Sequence, residues 1–226
     1  MTYEVKINME PHTVEALKAA GYKMYGFKAV KSQNASGKPT VWFTTDKFLT
    51  TTIVRWEEDY KAYISDDKPI AGGVVHAQVQ ERVNPEETMN VDQYGNCRVV
   101  DGSVKSNDLT HPISVYNQGE EEWTCGVAAK KLDGTYESLC AFPLYGGNLN
   151  AIEPIEKIFL MFATEAIKTE TVIEQSFGPG ILIDLTGKNY RSLTYDKNKT
   201  WGDYGSHWAT AHEPRSNLNP LLIESV

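Results

Sequence analysis

The chain has 226 residues, 41% of them hydrophobic and 11% aromatic, enough to bury a sizeable core. A formal net charge of -8, with no cluster of Lys or Arg, repels phosphate backbones and excludes nucleic acid as an expected partner. The longest apolar run, Ile158 to Ala163, falls far short of the roughly 20 residues a membrane-spanning helix needs, so no transmembrane segment is expected.

Residues Tyr3 to Ile7 alternate in character and do not form the continuous apolar run of a secretory signal, which points to a cytoplasmic protein or one released without a conventional signal peptide. Between Glu10 and Gly21 the pattern predicts one short N-terminal helix, with Thr13 as N-cap, Val14, Leu17 and Ala20 near one face, and Gly21 ending it. Everything afterwards reads as strand, beginning with Tyr22 to Lys31, Thr40 to Thr44 and Thr52 to Ser65. Val75, Ala77, Val79 and Val83 alternate with His76, Gln78, Gln80 and Arg82, the pattern of a strand with one dry and one wet face.

Shorter runs follow at Thr88 to Asp92 and Cys97 to Val100, around a turn at Gln93-Tyr94-Gly95-Asn96. Pro112 to Asn117, Trp123 to Lys130 and Tyr136 to Phe142 come next, with Asp101-Gly102 and Asp133-Gly134 as hairpin turns. Ile155 to Ala163 is apolar after Lys157 and suits a central strand buried on both faces. Thr171 to Phe177, Ile181 to Leu185 and Tyr190 to Tyr195 complete the set, separated by glycine-bearing reversals. No linker and no fixed repeat interrupts the series. The expected fold is all-β and mainly antiparallel, a β-sandwich or closed barrel-like sheet with one short N-terminal helix, built as a single β domain over residues 1–226.

Three cysteines, Cys97, Cys125 and Cys140, lack any C-x-x-C spacing, so neither a zinc ribbon nor a full disulfide framework is indicated. A two-residue turn at Asp133-Gly134 sets Cys125 and Cys140 diagonally on one face, about 7–8 Å apart and too far for an unstrained disulfide. Buried free thiols are expected.

The densest chemistry lies in Trp201-Gly202-Asp203-Tyr204-Gly205-Ser206-His207-Trp208, followed closely by His212 and Glu213. His207 and His212 are five apart, a spacing that stacks on neither helix nor strand, and no metal or cofactor motif occurs. Ser206, His207 and Asp203 have the residue types of a hydrolase triad but no G-x-S-x-G elbow. Aromatic side chains on glycine-rich loops suit sugar rings or a choline head group, because the ring face offers apolar contact and attracts cations.

Two functions from different classes are expected. The first is a non-catalytic, lectin-like or cytolysin-like recognition protein. It would bind a carbohydrate or lipid head group through Trp201, Asp203, Tyr204, His207 and Trp208, with Trp123 and Tyr145 from other turns. The second is a small-molecule enzyme with a barrel pocket, using His207, His212 or His76 for acid/base catalysis. Open sheet edges allow a homo-oligomer.

Overall fold

The computed structural model describes residues 1–103, 108–131, 133–202 and 206–226. Within them the chain begins β1 (Thr2–Asn8), α1 (Pro11–Ala19), β2 (Lys23–Ser32), β3 (Lys38–Pro39), β4 (Phe43–Thr45), β5 (Thr51–Glu57) and β6 (Tyr60–Ser65). It continues through β7 (Val79–Val83), β8 (Glu87–Val91), β9 (Cys97–Asp101), β10 (Ile113–Asn117), β11 (Trp123–Lys130), β12 (Tyr136–Ser138) and β13 (Cys140–Leu144). The C-terminal part holds β14 (Leu149–Ala163), β15 (Gly180–Asp184), β16 (Tyr190–Asp196), β17 (Thr200–Trp201), β18 (Ala209–His212), α2 (Asn219–Leu222) and β19 (Ile223–Ser225).

The all-β class expected from the strand patterns is the one adopted. A four-stranded sheet runs β17-β16-β1-β5, and a six-stranded one runs β3-β13-β11-β6-β7 with β12 beside β11. A nine-stranded sheet carries β18-β15-β14-β10-β8-β9, with β2 on the other side of β14 and β4 and β19 beside β2. Most pairings are antiparallel; β1 with β16, β8 with β10 and β2 with β19 are parallel. In β5 the alternation is strict, with Thr52, Val54 and Trp56 buried between exposed neighbours. One core cluster draws on Val5 and Ile7 near the N-terminus, Trp42, Trp56 and Phe162 in the middle, and Trp201 and Ile223 near the C-terminus. Burying a side chain of this kind is worth about 1.5–3 kcal/mol.

The helix starts earlier than Thr13. Glu10 is the N-cap residue and Pro11 opens the first turn, where its fixed φ suits the helix and its missing N–H costs nothing. Thr13 is instead buried, its hydroxyl donating to Asp196. The predicted end at Gly21 holds: Gly21 has φ +74°, its N–H donates to the Lys18 carbonyl and the Tyr22 N–H to the Leu17 carbonyl. That is a Schellman cap, which needs a residue tolerant of the left-handed conformation.

Other expectations need correction. The 171–177 segment is not a strand, because its backbone donors go to separate places: Val172 to Gly73, Ile173 to Pro39 and Ser176 to Ser216. The ladder expected from Val75 starts only at Val79, although Val75 is buried and His76 exposed as the alternation requires. Asp101-Gly102 does not close a hairpin between β9 and β10, since β8 lies between those two strands. The cysteine geometry follows the expected register. Cys125 pairs with Phe142, leaving Cys140 diagonal to it, and all three cysteines are free. Burial pushes the Cys125 and Cys140 thiols up to about 12.

The longest strand, β14, runs past the predicted start at Ile155 and changes neighbour along its length. Its first part pairs with β10 and its second with β15, while β2 follows it on the other side. From Pro154↔Val30 to Ile158↔Lys28, β14 takes four steps against two on β2. This bulge falls beside Pro154, which has no N–H to give the ladder. Beyond it Ile158 to Ala163 are all buried, as a strand covered on both faces must be.

Glu170 carries a charge in a half-buried position, and desolvation, with repulsion from Glu137, pushes its carboxyl up to about 6. A carboxylate with a folded-state value above its ordinary 4.5 keeps its proton longer when folded, so its contribution to stability is present below about 4.5 and lost as pH rises to about 6. Glu170→Gln should therefore raise stability at pH 7.5 and have a smaller effect at pH 4.5. Urea unfolding at the two pH values checks this, and equal effects at both would refute it.

Candidate functional site

Three turns meet at one end of the sheets. The first, residues 92–96, joins β8 to β9 as the sequence predicts. The Asp92 carboxylate accepts hydrogen bonds from the backbone N–H of Tyr94 and Asn96, and Gly95 takes φ +78°. These bonds, that from the Asn96 side chain foremost, hold the Asp92 carboxyl below the usual carboxylate range. The second turn, 117–122, joins β10 to β11. The third, 145–148, joins β13 to β14 and closes with the Asn148 N–H on the Tyr145 carbonyl.

A buried amide locks the second turn to the strand leading into the third. The Asn117 side chain donates to the Glu121 carbonyl at 2.6 Å and the Leu144 carbonyl at 3.5 Å, and accepts from the Gly119 N–H at 3.0 Å. With no exposure to solvent, Asn117 has every reason to keep these partners, because an orphaned buried amide costs about 1–3 kcal/mol. The Gly147 N–H reaches the Gly119 carbonyl, and the Gln118 N–H reaches Val91 at the edge of the first turn. Glycine is required at the crossings: a Cβ on Gly119 would sit 2.7 Å from the Gln93 Cα, and one on Gly146 2.8 Å from the Glu120 Cα.

The locked turns present two open phenol rings. Tyr94 is 77% exposed and Tyr145 54% exposed, on turns that each touch the 117–122 segment. Gln93, Asn96, Gln118, Glu120, Glu121 and Asn148 are exposed around them. Trp123 lies beneath, half-buried, with its ring against Gly95 and its indole N–H sealed without a partner among the described residues. Trp123 and Tyr145 thus belong to one patch through the Trp123↔Leu144 pairing.

Trp201 and Trp208 do not join that patch. Trp201 is a core residue and not a loop ligand: it is 1% exposed, its Nε1 donates to the Pro179 carbonyl at 2.9 Å, and its ring stacks on Phe162. The cause is β17, which pairs Trp201 with Tyr195 and folds its ring inward. Asp203 and Tyr204 lie outside the described residues. Trp208 is half-buried, covered by the Arg191 guanidinium at 4.9 Å, and its carbonyl accepts from the Asp184 N–H. Asp184 pairs with Lys157 in the middle of β14, whereas the turn cluster adjoins Leu149, eight residues earlier at its start. His207 is exposed near Trp208.

The expected catalytic histidines are also dispersed. His76 is on the surface against Asp67, and His212 packs on Phe159 with its Nε2 sealed and its basicity lowered by burial. His111 lines a cavity beside β14. The sequence marks the Gln93-to-Asn96 turn but not Tyr94 as a site residue, and it gives Asp92, whose carboxylate closes the turn, to the preceding strand. Among the described residues no group of three or more His, Cys, Asp or Glu is placed to hold a metal ion, and no helix is long and apolar enough to cross a membrane. Neither a protein-family model, nor a characterised protein, nor a solved structure matches this chain.

Proposed function

We propose that the protein is a non-catalytic recognition protein that binds carbohydrate at the three-turn cluster. The observation that carries this reading is the pair of exposed rings, Tyr94 and Tyr145, on turns fixed by the Asp92 carboxylate and by the bonds of the buried Asn117 side chain to Gly119, Glu121 and Leu144. A rigid phenol offers a flat apolar face to the C–H side of a sugar ring at little entropic cost. The surrounding carboxamides and carboxylates donate to and accept from neighbouring hydroxyls, which gives orientation. The same surface is rich in Glu, and that disfavours anionic lipid head groups.

Tyr94→Ala and Tyr145→Ala should each weaken glycan binding about tenfold, the usual cost of truncating an aromatic anchor, with the melting temperature unchanged. A glycan array probed with the wild type and both variants checks this. Phosphatidylcholine vesicles run alongside test the lipid head group: binding to vesicles and to no glycan would replace the carbohydrate reading, and variants that bind glycans as well as the wild type would end it.

A further inference from the structure

A second cavity lies where β14 bulges. It has a volume of about 590 Å³ and opens between the bulge, the β5–β6 turn, the loop after β15 and β19. Its carboxylates are Glu58, Glu153, Glu156, Asp184 and Glu224, against the ammonium groups of Lys31 and Lys157. Most have protein partners: Glu153 accepts from Thr110, Lys157 contacts Glu224 and Asp184, and Glu58 accepts from the Tyr3 hydroxyl at 3.1 Å and pairs with the N-terminal ammonium at 3.3 Å. Behind the wall, the fully buried Lys28 ammonium donates to the Ile155 carbonyl at 2.7 Å and to both oxygens of Glu156 at 3.2 Å. The bulge is thereby pinned with the Glu156 carboxylate turned to the cavity.

A group of acids alone proves little. The independent observation is Tyr60, 4% exposed, whose ring belongs to the core while the residue lines this cavity. Burial foremost, then the charges of Glu156 and Glu58 and the Tyr3 phenol, push its phenol well above the ordinary value, and its hydroxyl has no hydrogen-bond partner among the described residues. A buried phenol normally finds a partner, and one left open toward a cavity marks the place of a ligand atom.

We infer that this cavity binds a small organic cation carrying a primary ammonium group, held by Tyr60, Glu58 and Glu156. An ammonium has three donors and no acceptor, and the phenol oxygen with one free lone pair on each carboxylate supplies three acceptors. The five carboxylates outnumber the four ammonium groups of Lys31, Lys157, Lys28 and the N-terminus, which favours a cation over an anion. Pro85, Pro154 and Ile155 line the remaining wall and suit a short alkyl chain. The site is separate from the tyrosine turns, and its test does not depend on them.

Titration calorimetry with 1,4-diaminobutane and n-butylamine, with n-butanol and butyrate as neutral and anionic controls, tests the assignment. The amines should bind and the controls should not. Tyr60→Phe removes only the phenol oxygen and leaves the ring in the core, so it should weaken amine binding about tenfold. Glu58→Gln, on the more exposed side, should weaken it by at least as much and guards against a folding defect in the first variant. Tyr94→Ala should leave amine affinity unchanged. Failure of the wild type to bind either amine, binding of n-butanol as tight as that of n-butylamine, or full affinity in both cavity variants would overturn the inference.

Discussion

Lys28→Met should cost about 3 kcal/mol of folding stability, and Lys28→Met combined with Glu156→Gln should cost less than the single change. The reason lies in what the ammonium leaves behind. Lys28 has no exposure and is the donor to both oxygens of Glu156 and to the Ile155 carbonyl in the bulge. Removing one partner of a buried ion pair typically costs about 3–5 kcal/mol, mostly through the charge stranded without a counter-ion. Glu156 keeps some access to water, which places the cost at the lower end. Neutralising it in the double variant removes the stranded charge, so the two changes are not additive. Burial lowers the Lys28 basicity while Glu156 raises it, and burial is the larger of the two. Urea unfolding followed by circular dichroism gives both numbers. A double variant as unstable as the sum of the two single variants would show that the pair does not interact as described.

The same pair shows where reading the chain succeeds and where it stops. Local chemistry is legible: the Gln93-to-Asn96 turn, the Gly21 helix end and the Cys125–Cys140 register all follow from a few neighbouring residues. The apolar run after Lys157 announced a strand covered on both faces, and it is one. Lys28 sits in a run that reads as a strand from its Tyr, Phe and Val content, and its partner is 128 positions away, so nothing local signals a buried charge. The bulge that brings them together depends on how β14 registers against β2, a property of two strands and not of either alone. For the candidate site, Trp123 and Tyr145 read as turn aromatics, but their convergence with Tyr94 is made by the 117–122 segment, where the Asn117 side chain reaches the Leu144 carbonyl, the Gln118 N–H reaches Val91 and Gly119 crosses Gln93.

The misplacement of Trp201 has the opposite cause, since its neighbours gave a strong but misleading local signal. Glycines and polar residues around it read as an open loop, while the ring is drawn into the core by the β16–β17 hairpin, with Phe162 at 5.7 Å and Tyr195 at 4.8 Å between ring centres. Trp201→Ala should consequently destabilise the fold by about 3–5 kcal/mol, the range for deleting a large buried aromatic, because the surrounding rings collapse only partly into the cavity left behind. The Pro179 carbonyl also loses the indole donor. Trp201→Phe retains most of the apolar contact and forfeits that hydrogen bond, so its cost should fall well below that of alanine, near the roughly 1–3 kcal/mol of an unpaired buried polar group. Urea unfolding by circular dichroism separates the two variants without relying on indole fluorescence. Glycan binding should survive in Trp201→Phe, since the ring touches the core and not the tyrosine turns. A loss of less than about 1 kcal/mol in Trp201→Ala would place the ring outside the packed interior, contrary to the contacts seen, and would restore the terminal stretch as a binding surface.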